Sequence, residues 1–533
     1  MKTKIKNKGS VYFNAVQLII VGCVTGVFVG VVVTLYNLCA GFAESSAKSI
    51  YATIRQNPAF IPLLIIALLM GSFFLSVTIR LVPMIKGSGI PQTEGATRGL
   101  VRLKWYRDAA TMFAVSLLSI FMGLSAGAEG PSVHIGANVG DGVSVVSRRN
   151  EMIRRYQITG GACAGLAIAL GAPMSGMAFA FEEAHKRFTP EVFICAFSSV
   201  IAGMLTKIAL FMLLGLHLEE GFTAFLLSEI PLWEYGFVVM SAIICGFLGL
   251  LLFKSVFWVR KLLKKISLKS KLCSEWVKMS IAVLIGGLFS LITVNLMGGG
   301  HAFIETLGSL SHEQTPTVLG LPIIYALALV LVMKALVTAL NMGASVPCGT
   351  FIPMLAIGAC IGALASEIWV NLGMSEASKD TIIMICMATF FVTVVRAPIT
   401  AVIMVIEMTH SFTPLLPVII GVSIGYFIGD IARTESIYEV LLEQIVEENE
   451  KKVHKERVVF VLKAMPLSIA IGREIRDVLW PSNTRVVRIV RNEENVYPEA
   501  ETVILEGDLL TFNCFTDEPK VIENDLRNIL GNV

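Results

Sequence analysis

Hydrophobic positions in this chain run in long uninterrupted blocks and do not alternate with polar ones. Stretches without Asp, Glu, Lys or Arg cover 11–43, 56–79, 109–128, 156–181, 235–253, 279–304, 314–333, 335–366 and 408–429. About 18 or more such residues suffice to cross a bilayer as a helix, so the blocks predict a polytopic membrane protein. The first block follows Lys2, Lys4, Lys6 and Lys8, as in a signal peptide, but its length predicts a retained first helix. From Asp430 onward the pattern stops. A helix from Tyr438 to about Glu450 leaves the membrane, and the polar run at 447–452 reads as a linker. Residues 457–533 predict a small α+β domain. Its strands fall at 457–462, 484–491 and 508–514, and its helices near 473–480 and 517–529. The chain thus divides into a membrane region 1–445, a linker 446–456 and a domain 457–533.

Composition sharpens this reading. The 533 residues are 55% hydrophobic and 16% charged, against about 25% charged in an average soluble domain, which argues against a large soluble enzyme. The net charge of +3 gives no basic field for nucleic acid, and the ten cysteines are scattered without CxxC or metal-ligand spacing. No metal or cofactor is expected. Basic residues mark the cytoplasmic side: the N-terminal lysines, Arg148, Arg149, Arg154 and Arg155, and the cluster Arg260, Lys261, Lys264, Lys265, Lys269 and Lys271. Glu219, Glu220, Glu229, Glu305 and Glu313 then face outward, and both termini are cytoplasmic.

The chain repeats itself. Gly127, Pro131, Ile135 and Ala137 match Gly349, Pro353, Ile357 and Ala359, while Ala172, Pro173, Ser175 and Glu182 match Ala397, Pro398, Thr400 and Glu407. Repeated halves with Gly/Pro-interrupted hydrophobic segments point to a transporter whose site lies between them. Three interruptions stand out: Lys86-Gly87-Ser88-Gly89-Ile90-Pro91, Gly127-Ala128-Glu129-Gly130-Pro131 and Gly349-Thr350-Phe351-Ile352-Pro353. Each is followed by sequence that can start a helix. Broken helices present unpaired N–H groups and the positive end of a dipole, so several converging on one point attract an anion. Glu129, a carboxylate in an otherwise uncharged stretch, is functional by default. Beside an anion site it can occupy that site when ionised and leave it when protonated. Glu182 and Glu183 close another apolar run, just before His185-Lys186-Arg187. By spacing alone, a solvated helix end with salt bridges explains them equally well.

These segments, Gly87-Ser88-Gly89-Ile90-Pro91, Gly127-x-Glu129-Gly130-Pro131 and Gly349-x-Phe351-x-Pro353, resemble the three signature motifs of the CLC family of chloride channels and proton-coupled chloride transporters. Gly171-Ala-Pro-Met-Ser-Gly…Phe181-Glu182-Glu183 and Ser436-Ile437-Tyr438 also fit. The resemblance implies an all-α membrane fold of inverted repeats (roughly 58–215 and 278–438) built from about eighteen broken, tilted helices. It also implies a homodimer in a lipid bilayer, and the corresponding expectation is residence in the plasma (inner) membrane of a prokaryote. Ser88 and Tyr438 would be side-chain ligands of chloride, joined by the N–H groups of Phe351 and Ile352. Glu129 would be the external gate, and Glu183 the internal proton site. Two departures are Ala128, where the motif usually has Arg, and Gln92, where it usually has Glu. The implied function is chloride–proton antiport. The alternative is a passive chloride channel, and a remote one is a potassium-transport or ligand-sensing component. The last is suggested by the C-terminal pattern Ala470-Ile-Gly472-Arg473-Glu474…Gly507-Asp508-Leu-Leu, similar to the C-terminal domain of TrkA/RCK proteins, which implies dimerisation and a small ligand.

Overall fold

The computed structural model describes residues 2–531 except 149–150, 187, 218–220, 269, 311–316, 319–320, 451–455, 467, 482 and 517–518. Arg149, Arg187, Glu219, Glu220, Lys269, Glu313, Lys451 and Lys452 therefore lie outside the described residues. Among those described, eight helices are long and apolar enough to cross a membrane. The first runs from Lys2 to Gln56, well past the uncharged block that predicted it. Other blocks are broken by their glycines and prolines. The run 156–181 ends its long helix at Leu170, turns at Gly171 (φ +68°), and restarts at Pro173, where proline suits a first helical turn.

The helices Phe351–Asn371 and Glu376–Val395 form the centre of the membrane region and are largely or wholly enclosed by protein. They pack closely because Gly358 and Gly362 face the second helix. A Cβ on Gly358 would stand 2.7 Å from the Cys386 carbonyl oxygen. Helices at the periphery keep apolar side chains exposed, as lipid contact allows.

The repeated Pro/Glu segments cap each other. Glu182, from the first half, accepts the N–H groups of Ile399 (2.8 Å) and Thr400 (2.6 Å) at the start of the helix Pro398–Thr409. Glu407, from the second half, accepts those of Met174 (2.7 Å) and Ser175 (2.8 Å), plus the Ser175 hydroxyl (2.6 Å), at the start of Pro173–Phe179. Each carboxylate neutralises N–H groups that a helix cannot pair internally.

After the helix Ile437–Glu450, a four-stranded antiparallel sheet runs in the order Glu456–Lys463, Leu509–Thr516, Thr484–Arg491, Glu494–Val496. The helix Pro519–Leu530 packs on it. Residues 446–450, read as the start of a linker, continue the helix, as glutamate-rich sequence readily does. The helix expected near 473–480 is only a 3₁₀ turn, Ile475–Asp477. Its backbone pairs instead with residues 500–504, through Ile475 N–H to Thr502 O and Ile504 N–H to Arg473 O. This domain rests on the membrane region. Arg155 donates to the Trp480 carbonyl (2.9 Å), and Arg473 pairs with Glu191 (2.9 Å).

Candidate functional site

The three Gly/Pro interruptions meet. Gly127 and Gly349 exchange both backbone hydrogen bonds (2.9 and 2.8 Å). Gly87 donates to Ser345 O and accepts from Cys348 N–H, joining the first interruption to the third. A fourth segment that the motif reading missed, Gly298-Gly299-Gly300, joins them through Ala126 N–H to Gly298 O and Gly298 N–H to Leu124 O. A run of three glycines ending an apolar block was the available signal.

From this seam, helices start at Ile90, Glu129 and Phe351. Gly89 precedes the first in a left-handed conformation (φ +80°), and a Cβ on it would stand 2.6 Å from that of His134. Only glycine fits there. Gly130 is equally confined, its missing side chain being 2.7 Å from the Ser88 carbonyl oxygen. Pro91, Pro131 and Pro353 all lie within first turns, where a missing N–H costs no helical bond. Three positive helix ends are thereby gathered in one largely buried place.

Within it, Ser88, Glu129, Phe351, Ile352 and Tyr438 are all buried. The Glu129 carboxyl folds back over Gly127. Backbone N–H groups of Glu129 itself, Ile352 and Ala128 face it, while Oε2 has no hydrogen-bond partner. A carboxylate thus sits against a helix-end N–H that could equally hold a free anion. The Tyr438 hydroxyl meets Thr350 Oγ1 at 3.2 Å, and its ring stacks on Phe351. Ser88 Oγ accepts weakly from Ile90 N–H at 3.4 Å. Gln92 explains its own departure from the motif: Nε2 donates to the Lys86 carbonyl at 2.7 Å, closing the Gly87–Gly89 turn. An ionised glutamate could not donate. From Ser88 and Thr350 a cavity opens past Lys86 and Arg260 to Glu448.

Glu183 sits on a π-helical turn, Ala180–Ala184, and is buried. Its carboxyl faces that of Glu94, a wholly buried residue of the helix Ile90–Thr97. Arg98 fixes the turn by donating to the carbonyls of Glu183 (3.0 Å) and Ala184 (3.2 Å) and holding Glu439 with two bonds. Glu94 was not foreseen. Glu182, two-sided in the sequence reading, is the helix cap described above.

A family model described as voltage gated chloride channel matches residues 70–430. The H(+)/Cl(-) exchange transporter ClcA of Yersinia pestis bv. Antiqua (strain Angola) is 27% identical over 414 residues, covering 75% of this chain and 80% of the relative. Its namesake from Vibrio cholerae serotype O1 is 27% identical over 406 residues, covering 73% and 81%. Among solved structures, a slow cyanobacterial Cl-/H+ antiporter aligns with a TM-score of 0.71 at 22% identity, covering 81% of this chain and 99% of its own. A CLC-type fluoride/proton antiporter aligns at 0.63 and 20% identity, covering 80% and 98%. Both share the fold. With the matched model spanning well over half of its length, the chain belongs to the voltage gated chloride channel family, the CLC family.

Proposed function

We propose that this protein exchanges chloride for protons across a membrane, with Glu129 as gate and outer proton site and Glu183 as inner proton site. The observation that carries the reading is the Glu129 carboxyl lying against the Ile352 N–H among three helix ends. An ionised carboxylate and chloride compete for one positive place, so each arriving chloride displaces Glu129, which then takes a proton. Ser88, Tyr438 and the N–H groups of Phe351 and Ile352 hold the anion. The relatives named as H(+)/Cl(-) exchange transporters support this assignment.

The facing carboxyls of Glu183 and Glu94 favour exchange over passive conduction, because a pure anion pore needs no pair of buried acids besides its gate. In this reading the Lys86–Arg260 cavity faces the cytoplasm of a prokaryote, as do both termini. The protein works as a homodimer, and residues 457–533 form a TrkA-like regulatory domain open to a small ligand. Reversal potential under opposed chloride and proton gradients tests the proposal. A shift with the proton gradient supports exchange. A potential set by chloride alone means a channel, and one set by potassium discards both.

A further inference from the structure

Lys334 is wholly buried in the helix Ile323–Gly343, which has no other charged residue. An ammonium at membrane depth is costly, and one retained there calls for a use. Among the described residues no carboxylate pairs with it. Its hydrogen bond goes to the Asn295 carbonyl at 3.5 Å, and the Phe303 ring lies 6.0 Å away. Glu44 acts on it only from beyond ion-pair distance and is itself bound to Lys48 at 2.7 Å. The group of Glu44, Lys48 and Lys334 thus keeps one positive charge in excess.

The wall between this ammonium and the gate is one layer of glycine backbone. A Cβ on Gly300 would stand 3.1 Å from Lys334 Nζ. A Cβ on Gly299 would stand 3.3 Å from both Gly127 Cα and Ile352 Cβ, the lip on which the Glu129 carboxyl rests. Glu44 touches the same turn at Gly298. Side chains at 299 or 300 would push the charge and the gate apart. At the front of the gate, where the motif usually carries arginine, this chain has Ala128.

We propose that Lys334 supplies, from behind the Gly298–Gly300 turn, the fixed positive charge that draws the anion to the gate. This rests on the exchange reading above and adds a residue that sets anion affinity without touching the anion. Chloride uptake into proteoliposomes, measured against chloride concentration, tests it. Lys334→Met should weaken apparent chloride affinity about tenfold, as expected when one unit charge acting through protein at an effective dielectric of about 20 is removed. Maximal turnover should change less. Lys334→Arg should keep the parent affinity, and Ala128→Arg added to Lys334→Met should restore it, which no purely structural role of Lys334 permits. Glu44→Gln, which leaves position 334 untouched, should tighten chloride binding and decides the matter if Lys334→Met does not fold. Unchanged affinity in Lys334→Met, no rescue by Ala128→Arg, or no tightening in Glu44→Gln overturns the inference while exchange stands. A parent protein that moves no chloride overturns both.

Discussion

Neighbouring glutamates 182 and 183 should fail in opposite ways. In Glu182→Gln the side chain keeps its length but loses its charge, and its amide can present only one oxygen to the two N–H groups of Ile399 and Thr400, now 2.8 and 2.6 Å from the carboxylate. One helix-end donor loses its partner, at about 1–3 kcal/mol where it is shut off from water, and the interaction with the helix end is lost, at about 0.3–1 kcal/mol. The variant should therefore unfold about 1–4 kcal/mol more easily in detergent while still coupling protons to chloride. Glu407→Gln should behave alike or slightly worse, since that carboxylate holds three donors. Glu183→Gln removes one of two facing carboxyls and strands nothing, so its stability should equal or exceed that of the parent. Its proton flux should fall to the leak rate while anion movement persists. The assay pairs chemical denaturation with chloride-driven proton uptake into liposomes. Loss of coupling in Glu182→Gln at parental stability, with normal coupling in Glu183→Gln, would refute the assignment of both residues.

Three other outcomes are expected. Glu129→Ala should keep chloride flux and abolish proton movement, and chloride-driven proton uptake surviving in the mutant removes Glu129 from the mechanism. Ser88→Pro removes a hydroxyl donor worth about 1.5–3 kcal/mol to a charged acceptor, so the flux ratio should move from chloride toward nitrate. Asp525, on the helix Pro519–Leu530, is pushed up to about 6 by burial and by Glu151, against the pull of Arg102 and Arg155. Its docked form prefers the proton, so docking is strongest in acid and weakens as pH rises from about 4 through about 6. Trp480 emission against pH should show that transition, and Asp525→Asn should abolish it.

Broken helices were legible because they must be built from residues a continuous helix avoids, and the singular place of Glu129, buried at a helix start, because it is a lone charge in an apolar run. The repeat was legible too, down to the nine-residue spacing of Pro173 to Glu182 and Pro398 to Glu407. That the two glutamates cap each other's helix was not, since spacing says nothing about which copy faces which. Glu94 was hidden differently. It stands in a short helix four residues from Arg98, as on any solvated surface, and becomes an interior acid only when the turn at Ala180–Ala184 closes over it. Positions 473–480 mislead for a similar reason. Their helical composition is overridden by backbone pairing with a strand-like segment about 30 residues away, which no local pattern encodes.

The seam at the site bears on how the bilayer enters transport. Six backbone hydrogen bonds stitch one half of the membrane region to the other: two between Gly127 and Gly349, two from Gly87 to Ser345 and Cys348, and two from Gly298 to Leu124 and Ala126. Carriers that expose their cargo by tilting one half against the other must break such a seam and reshape the lipid around them. Under the proposed exchange, the stitched backbone leaves side-chain rotation as the cheap motion, above all that of the Glu129 carboxyl, which displaces almost no protein volume. The work done on the membrane per turnover is then small. Turnover should accordingly vary little between thin and thick bilayers, and lateral tension in the lipid should have little leverage on it.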